Sequence, residues 1–137
     1  MTKADRVLIT EEPLLPTAVI NRVKDERSGC VVTYVGVIRG DSQGEEVLAV
    51  EYRDPEGTAE EKLQKIGREI RQRWPVNNIA LCHRIGKLKV GEINLVVAIA
   101  SAHRQEGFAA CQYAIDAFKQ NAPTQKIESY KNRKKEI

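Results

Sequence analysis

Apolar positions along this chain fall into two rhythms. Short β-branched runs predict strands, and stretches with apolar residues every three or four positions predict helices. Val7-Leu8-Ile9 is a first short strand, after which Pro13 and Pro16 interrupt. Thr17 is placed to cap a short helix with Ile20 and Val23 on one face. Gly29 opens the run from Cys30 to Ile38, whose β-branched content predicts a buried strand. The polar stretch from Gly40 to Glu46 contains two glycines and reads as a mobile loop. Val47 to Tyr52 returns as a strand. Thr58 and Glu61 have the spacing of a capping box. Behind them Leu63, Ile66, Ile70 and Trp74 make one apolar helix face, which Pro75 stops. Ile79 to Ile85 is a strand ended by Gly86, Val90-Gly91 is a turn, and Ile93 to Ala100 is a long strand. A last helix carries Phe108, Cys111, Ile115 and Phe118 on one stripe, and Pro123 marks its end.

The order is therefore β-α-β-β-α-β-β-α. Consecutive strands without a helix between them imply hairpins and antiparallel pairing, so the fold class is α+β. A length of 137 residues fits one domain with a core of its own. The division expected is a domain over residues 1–128 and a basic C-terminal tail over 129–137.

Charge changes this picture only locally. The net charge is +3, and it is concentrated from Lys126 onward, where five Lys and Arg residues face Glu128 and Glu136. The body is nearly neutral. No stretch is apolar enough to span a bilayer and no signal-peptide pattern follows Met1, which points to a cytoplasmic protein without a membrane role. Cys30, Cys82 and Cys111 are odd in number and widely spaced, so they read as small buried hydrophobes and not as a disulfide framework. With two histidines and no C-x-x-C, neither a metal site nor a resident cofactor is expected.

Five residues stand out as candidate chemistry. His103-Arg104 follow a strand and open a helix, where free N–H groups and the helix dipole attract anions. The Arg fork also suits phosphate oxygens, although solvated first-turn residues would look the same. Arg39 ends an apolar strand beside a glycine-containing loop, as many surface arginines do. Lys119 directly follows Phe118. With its stem against apolar surface, it reads either as a proton carrier or nucleophile, or as a lysine covering a helix end. Lys126 lies beyond Pro123 in a stretch without periodicity and, alone, reads as a solvated residue. His83 reads as a satisfied core histidine, and Tyr34 and Trp74 as core.

Taken in order, the motifs resemble the molybdopterin synthase catalytic (large) subunit family. The resemblance runs from about Gly29 to Glu128. It rests on Tyr34-x-Gly36-x-x-Arg39, Leu48-x-Val50-Glu51-Tyr52, Arg73-Trp74-Pro75, His83-Arg84-Ile85-Gly86, Gly91-Glu92, Ser101-Ala102-His103-Arg104, Phe118-Lys119, Ala122-Pro123 and Lys126-x-Glu128. It implies an α/β-hammerhead-like fold and a sulfurtransferase that inserts two sulfurs into cyclic pyranopterin monophosphate. The donor implied is a thiocarboxylate on the C-terminal Gly-Gly of a small ubiquitin-like partner subunit, within a heterotetramer built on a dimer of large subunits. By the same resemblance, Lys119 acts at the thiocarboxylate and Lys126 joins it as a catalytic residue. Arg39, His103, Arg104 and Lys126 hold the pterin and its phosphate, and the backbone at Val37, Ile38, Ile127 and Glu128 lines the pocket.

The chain departs from the family pattern in three places. Thr124-Gln125 stand where the family usually carries an aromatic before the second lysine, Ile127 stands where it often carries a base, and the tail is short. Two other readings use the same residues: a non-catalytic paralogue, and a module whose basic tail binds nucleic acid. The second lacks interleaved aromatics and any RNA-binding motif. Helix length adds one expectation. Arg104 and Lys119 lie about 22 Å apart along a helix, at roughly 1.5 Å per residue, which is too far for one monophosphorylated pterin to touch both. The active site is therefore expected to combine Lys119 and Lys126 of one protomer with His103 and Arg104 of another.

Overall fold

The computed structural model describes residues 5–130 and 134–136, with no side-chain description for 134 and 135. Residues 131–133 and 137 of the charged tail therefore lie outside the described residues. The elements are β1 (Arg6–Thr10), α1 (Pro16–Val23), β2 (Cys30–Val37), β3 (Asp41–Ser42), β4 (Glu45–Arg53), α2 (Ala59–Arg73), β5 (Asn78–Arg84), β6 (Gly86–Lys89), β7 (Ile93–Ser101), α3 (Arg104–Gln120), β8 (Gln125–Tyr130) and β9 (Lys134–Glu136).

Strand alternation in the central strands builds the first sheet, ordered β1-β5-β7-β2. On one face Ile79, Leu81, Leu95, Val97 and Ile99 pack against Leu63, Ile66 and Ile70 of α2 and Ala110, Cys111 and Ala114 of α3. On the other, the smaller Ala80, Cys82, Ala98 and Ala100 leave room for α1 through Val23. Both faces are covered, so β5 and β7 read as continuous apolar runs. β5 and β7 pair antiparallel, as expected of consecutive apolar strands, but the other expected hairpin does not form: β2 pairs antiparallel with β7 and not with β4, which lies in the second sheet, and β1 and β5 run parallel. Asp5 secures the entry to β1. Its carboxylate accepts from Arg71 at 2.7 and 2.9 Å and from the Ile79 N–H at 2.7 Å.

Apart from β4, the second sheet is the part the sequence hid. It is ordered β3-β4-β8-β9, with β6 also paired to β4, and encloses Ile38, Val47, Val50, Tyr52, Leu88 and Tyr130. The expected mobile loop is a hairpin: Asp41 and Ser42 pair with Glu46 and Glu45 across Gln43 and Gly44, both at positive φ. β8 crosses the expected division at Glu128, pairing from Gln125 to Tyr130 with β4.

Two caps differ from expectation. Thr58 makes no side-chain cap, so the capping box does not form. Asp54 does the work, accepting from the N–H groups of Thr58 at 3.1 Å and Ala59 at 3.3 Å. Leu15, not Thr17, stands at the α1 N-cap, with Pro16 in the first turn. The α3 stripe is also interrupted, because Phe108 is 60% exposed while Cys111 is buried.

Candidate functional site

A cavity of about 740 Å³ opens at the seam between the two sheets and the end of α3. β2 supplies Tyr34 and Val37, followed directly by Ile38 and Arg39. β8 supplies Lys126 and Glu128, and the last turn of α3 supplies Phe118 and Lys119. Of the nine residues singled out in the sequence, Val37, Ile38, Arg39, Lys119, Lys126 and Glu128 thus share one cavity. Ile127 is not among its lining residues, because alternation along β8 turns it to the other face. His103 and Arg104 are not there either. They line a separate groove of about 480 Å³ with Gly29, Cys30, Ala102 and Gln105.

The strands that carry these groups bend for identifiable reasons. Gly36 pairs with Leu95 and Val37 with Ile93, so Asn94 is an extra residue in β7, a β-bulge. Its amide donates to the Tyr52 hydroxyl at 2.9 Å, and its Oδ1 would lie 2.7 Å from any Cβ at Gly36. A side chain at 36 is therefore excluded while Asn94 keeps this position. The Asn94 backbone oxygen, displaced from the ladder, meets His83 Nδ1 at 2.8 Å. On the far side of the seam Arg84 donates to Glu92 at 3.0 Å, and Gly86 and Gly91 turn the chain at positive φ. That contact joins the His83-Arg84-Ile85-Gly86 and Gly91-Glu92 segments in space.

The electrostatics favour an anionic guest. Among the described residues, none of Arg39, His103, Arg104, Lys119 or Lys126 takes part in a salt bridge; those that form are elsewhere. Glu128 is 5% exposed and accepts from the Ser42 hydroxyl at 3.4 Å. Burial raises the Tyr52 hydroxyl above its ordinary range, the Asn94 amide partly offsets this, and the negative Glu128 adds to the rise. Tyr52 is therefore a neutral hydrogen-bonding wall at pH 7. The thiols of Cys82 and Cys111 are pushed up to about 11 by burial, so neither is a nucleophile at that pH. No group of three or more potential metal-binding side chains occurs among the described residues. No helix among them is long and apolar enough to cross a membrane.

The groove around His103 has its own construction. His103 is the N-cap of α3 in extended conformation, without a side-chain cap, so the first-turn N–H groups face outward. Ser101 donates to the His103 carbonyl at 2.7 Å and fixes the turn. Gly107 lets α3 sit against β2, since a Cβ there would meet Ser101 Oγ at 2.8 Å and Val32 at 2.9 Å.

Sequence reasoning missed Tyr34, Tyr52, Asn94 and Thr124 as cavity residues. Asn94 had a visible signal, a lone polar side chain within the apolar run from Ile93 to Ala100. Tyr34, read as core, is half-buried in the cavity wall.

Comparison with known proteins gives the same direction. The family model described as "MoaE protein" matches residues 9–121. A Nostoc sp. molybdopterin synthase catalytic subunit is 40% identical over 129 residues, covering 93% of this chain and 78% of the relative. The crystal structure of molybdopterin synthase from Staphylococcus aureus superimposes with a TM-score of 0.87 at 30% identity, covering 100% of this chain and 98% of the other. A Helicobacter pylori protein-protein complex of subunits 1 and 2 of molybdopterin-converting factor matches with a TM-score of 0.73 over 98% of this chain and 90% of that one. At 16% identity, that likeness bears on the fold alone.

Proposed function

The chain belongs to the MoaE protein family, the molybdopterin synthase catalytic subunits, and from that premise we propose how its own residues carry the reaction. The substrate is cyclic pyranopterin monophosphate, and the product is the dithiolene of molybdopterin. The sulfur donor is the thiocarboxylated C-terminal Gly-Gly of a small ubiquitin-like subunit, entering the 740 Å³ cavity as an extended tail. In each of two rounds a carbon–sulfur bond forms on the pterin side chain as a carbon–oxygen bond there breaks, the cyclic phosphate ester opening in one round and a side-chain oxygen leaving as water in the other; water's oxygen replaces the sulfur on the tail's carbonyl carbon, so that each tail departs as a carboxylate.

One observation carries this reading: the fold gathers Arg39 from the end of β2, Lys119 from α3 and Lys126 from β8 around one cavity, and among the described residues none of the three forms a salt bridge. Lys119 serves the thiocarboxylate carbonyl, as proton donor or as a transient nucleophile. Lys126 and Arg39 offset the charge of substrate and tail in a partly desolvated space. Tyr34 and Phe118 supply aromatic walls. Their presence supports pterin packing although Thr124-Gln125 replace the family's aromatic.

His103 and Arg104 reach the reaction from a second copy of the chain. Support for this comes from their separate groove and from α3, unbroken from Arg104 to Gln120, which holds Arg104 about 22 Å along the axis from Lys119. The exposed Phe108, one turn from Arg104, offers that copy an apolar contact. The assembly is then a dimer of these chains with one small subunit at each cavity. The test is reconstitution from cyclic pyranopterin monophosphate and thiocarboxylated small subunit. Lys119→Ala should abolish molybdopterin formation while leaving circular dichroism and melting temperature unchanged. Normal turnover by that variant would overturn the assignment.

A further inference from the structure

We propose that His83, which is fully buried and not among the residues lining the cavity, is the positioning residue that sets the two amines of the cavity at their working separation, acting through Thr124 and Phe118. The inference rests on the roles just given to Lys119 and Lys126.

His83 follows Ile79 and Leu81 on β5, so alternation points it toward α3. It is 0% exposed. Its ring stands edge-to-face with Phe118 at 5.0 Å and with Tyr52 at 4.8 Å. Its Nε2 lies 2.9 Å from the Thr124 hydroxyl. One imidazole thus grips both sides of the junction between α3 and β8. Phe118 immediately precedes Lys119 in the last turn of the helix, and Thr124 stands two residues before Lys126 at the entrance to β8.

The direction of these hydrogen bonds follows from chemistry. The Asn94 backbone oxygen is only an acceptor, so Nδ1 carries the proton and donates to it. Nε2 is left with a lone pair and accepts from the Thr124 O–H. Burial pushes the imidazole down to about 4, partly opposed by the Asn94 hydrogen bond, so the ring is neutral at pH 7 and this tautomer persists. The bulge that frees the Asn94 carbonyl is the same one that shapes the cavity wall beside Gly36. Thr124 occupies the segment where this chain departs from the family aromatic. Here the lysine-bearing strand is anchored by a hydrogen bond to the core.

The test compares Thr124→Val, which keeps the shape and removes the donor, with Thr124→Ser, which restores it. In the reconstituted synthase assay Thr124→Val should lower kcat about tenfold, with KM for the pterin within about twofold of wild type. Thr124→Ser should recover most of the loss. Wild-type kcat in Thr124→Val, or an equal loss in Thr124→Ser, overturns the proposal. A second measurement does not depend on variants. Imidazole ¹⁵N shifts of the intact protein should show Nδ1 protonated and Nε2 bare, and a protonated Nε2 overturns the hydrogen-bond direction on which the proposal stands. Lys119→Ala in the same assay separates the two levels. If it is active, the site assignment itself fails; if it is dead while Thr124→Val is fully active, only the positioning role of His83 fails.

Discussion

Sharing of the active site between two protomers can be tested by mixing dead subunits. Arg104 and Lys119 lie fifteen residues apart on one continuous helix, about 22 Å along its axis, and line different cavities. In the proposed two-fold dimer the Arg104 end of one α3 would meet the Lys119 cavity of the other, and each dimer would hold two composite sites. Let Arg104→Ala and Lys119→Ala chains be unfolded together, refolded at equal amounts, and assayed with excess small subunit. Random pairing makes about half the dimers mixed, and each mixed dimer has one site with both groups intact, so about a quarter of all sites should work. The reverse mixture sharpens the result. Wild type mixed with the double variant should fall to about a quarter of wild-type activity if sites are shared, against about half if each chain holds a complete site. A first mixture as inactive as its components, together with half activity in the second, would refute the shared site.

Two further predictions concern the scaffold. Because burial holds His83 near 4 while the unfolded chain titrates near 6.5, its contribution to stability is complete above pH 6.5, falls as the pH drops toward 4, and changes no further below that. Between pH 6.5 and 5 this amounts to about 2 kcal/mol in urea denaturation, before Asp25 and Glu92, both held below their ordinary values by hydrogen bonds, begin to lose theirs. A flat profile over that interval would show that His83 is not buried neutral. Asp54→Ala should cost about 1 kcal/mol by uncapping α2, whereas Thr58→Ala should change stability by less than about 0.5 kcal/mol. The opposite ranking in thermal melts would restore the capping box.

Helices α2 and α3 and strands β2, β4, β5 and β7 were legible because their burial is regular and apolar. The other strands of the second sheet, β3, β6, β8 and β9, were not, and the reason is specific. β8 turns Lys126, Glu128 and Tyr130 toward the cavity side, so its inward positions are polar and its periodicity looks like none. β6 has one apolar residue, Leu88, between two lysines. Parallel pairing of β1 with β5 depends on contacts across more than seventy residues that no local pattern encodes. Taken by themselves, the candidate residues gave no sign of convergence, and only the family resemblance put Arg39, Lys119 and Lys126 in one pocket. What joins them is the seam between the sheets, lined by Tyr34, Tyr52 and Asn94, whose roles only the tertiary arrangement reveals. Helical rise did anticipate the division that places His103 and Arg104 elsewhere.

Where the small subunit's tail ends can be measured directly. A carbodiimide joins a carboxylate only to an amine it touches. Treating the assembled complex with the tail in its carboxylate form and sequencing the linked peptides by mass spectrometry should therefore find the terminal glycine bonded to Lys119. A terminal glycine linked instead to Lys62 or Lys65, beside the groove between α2 and α3, would contradict the account at its centre.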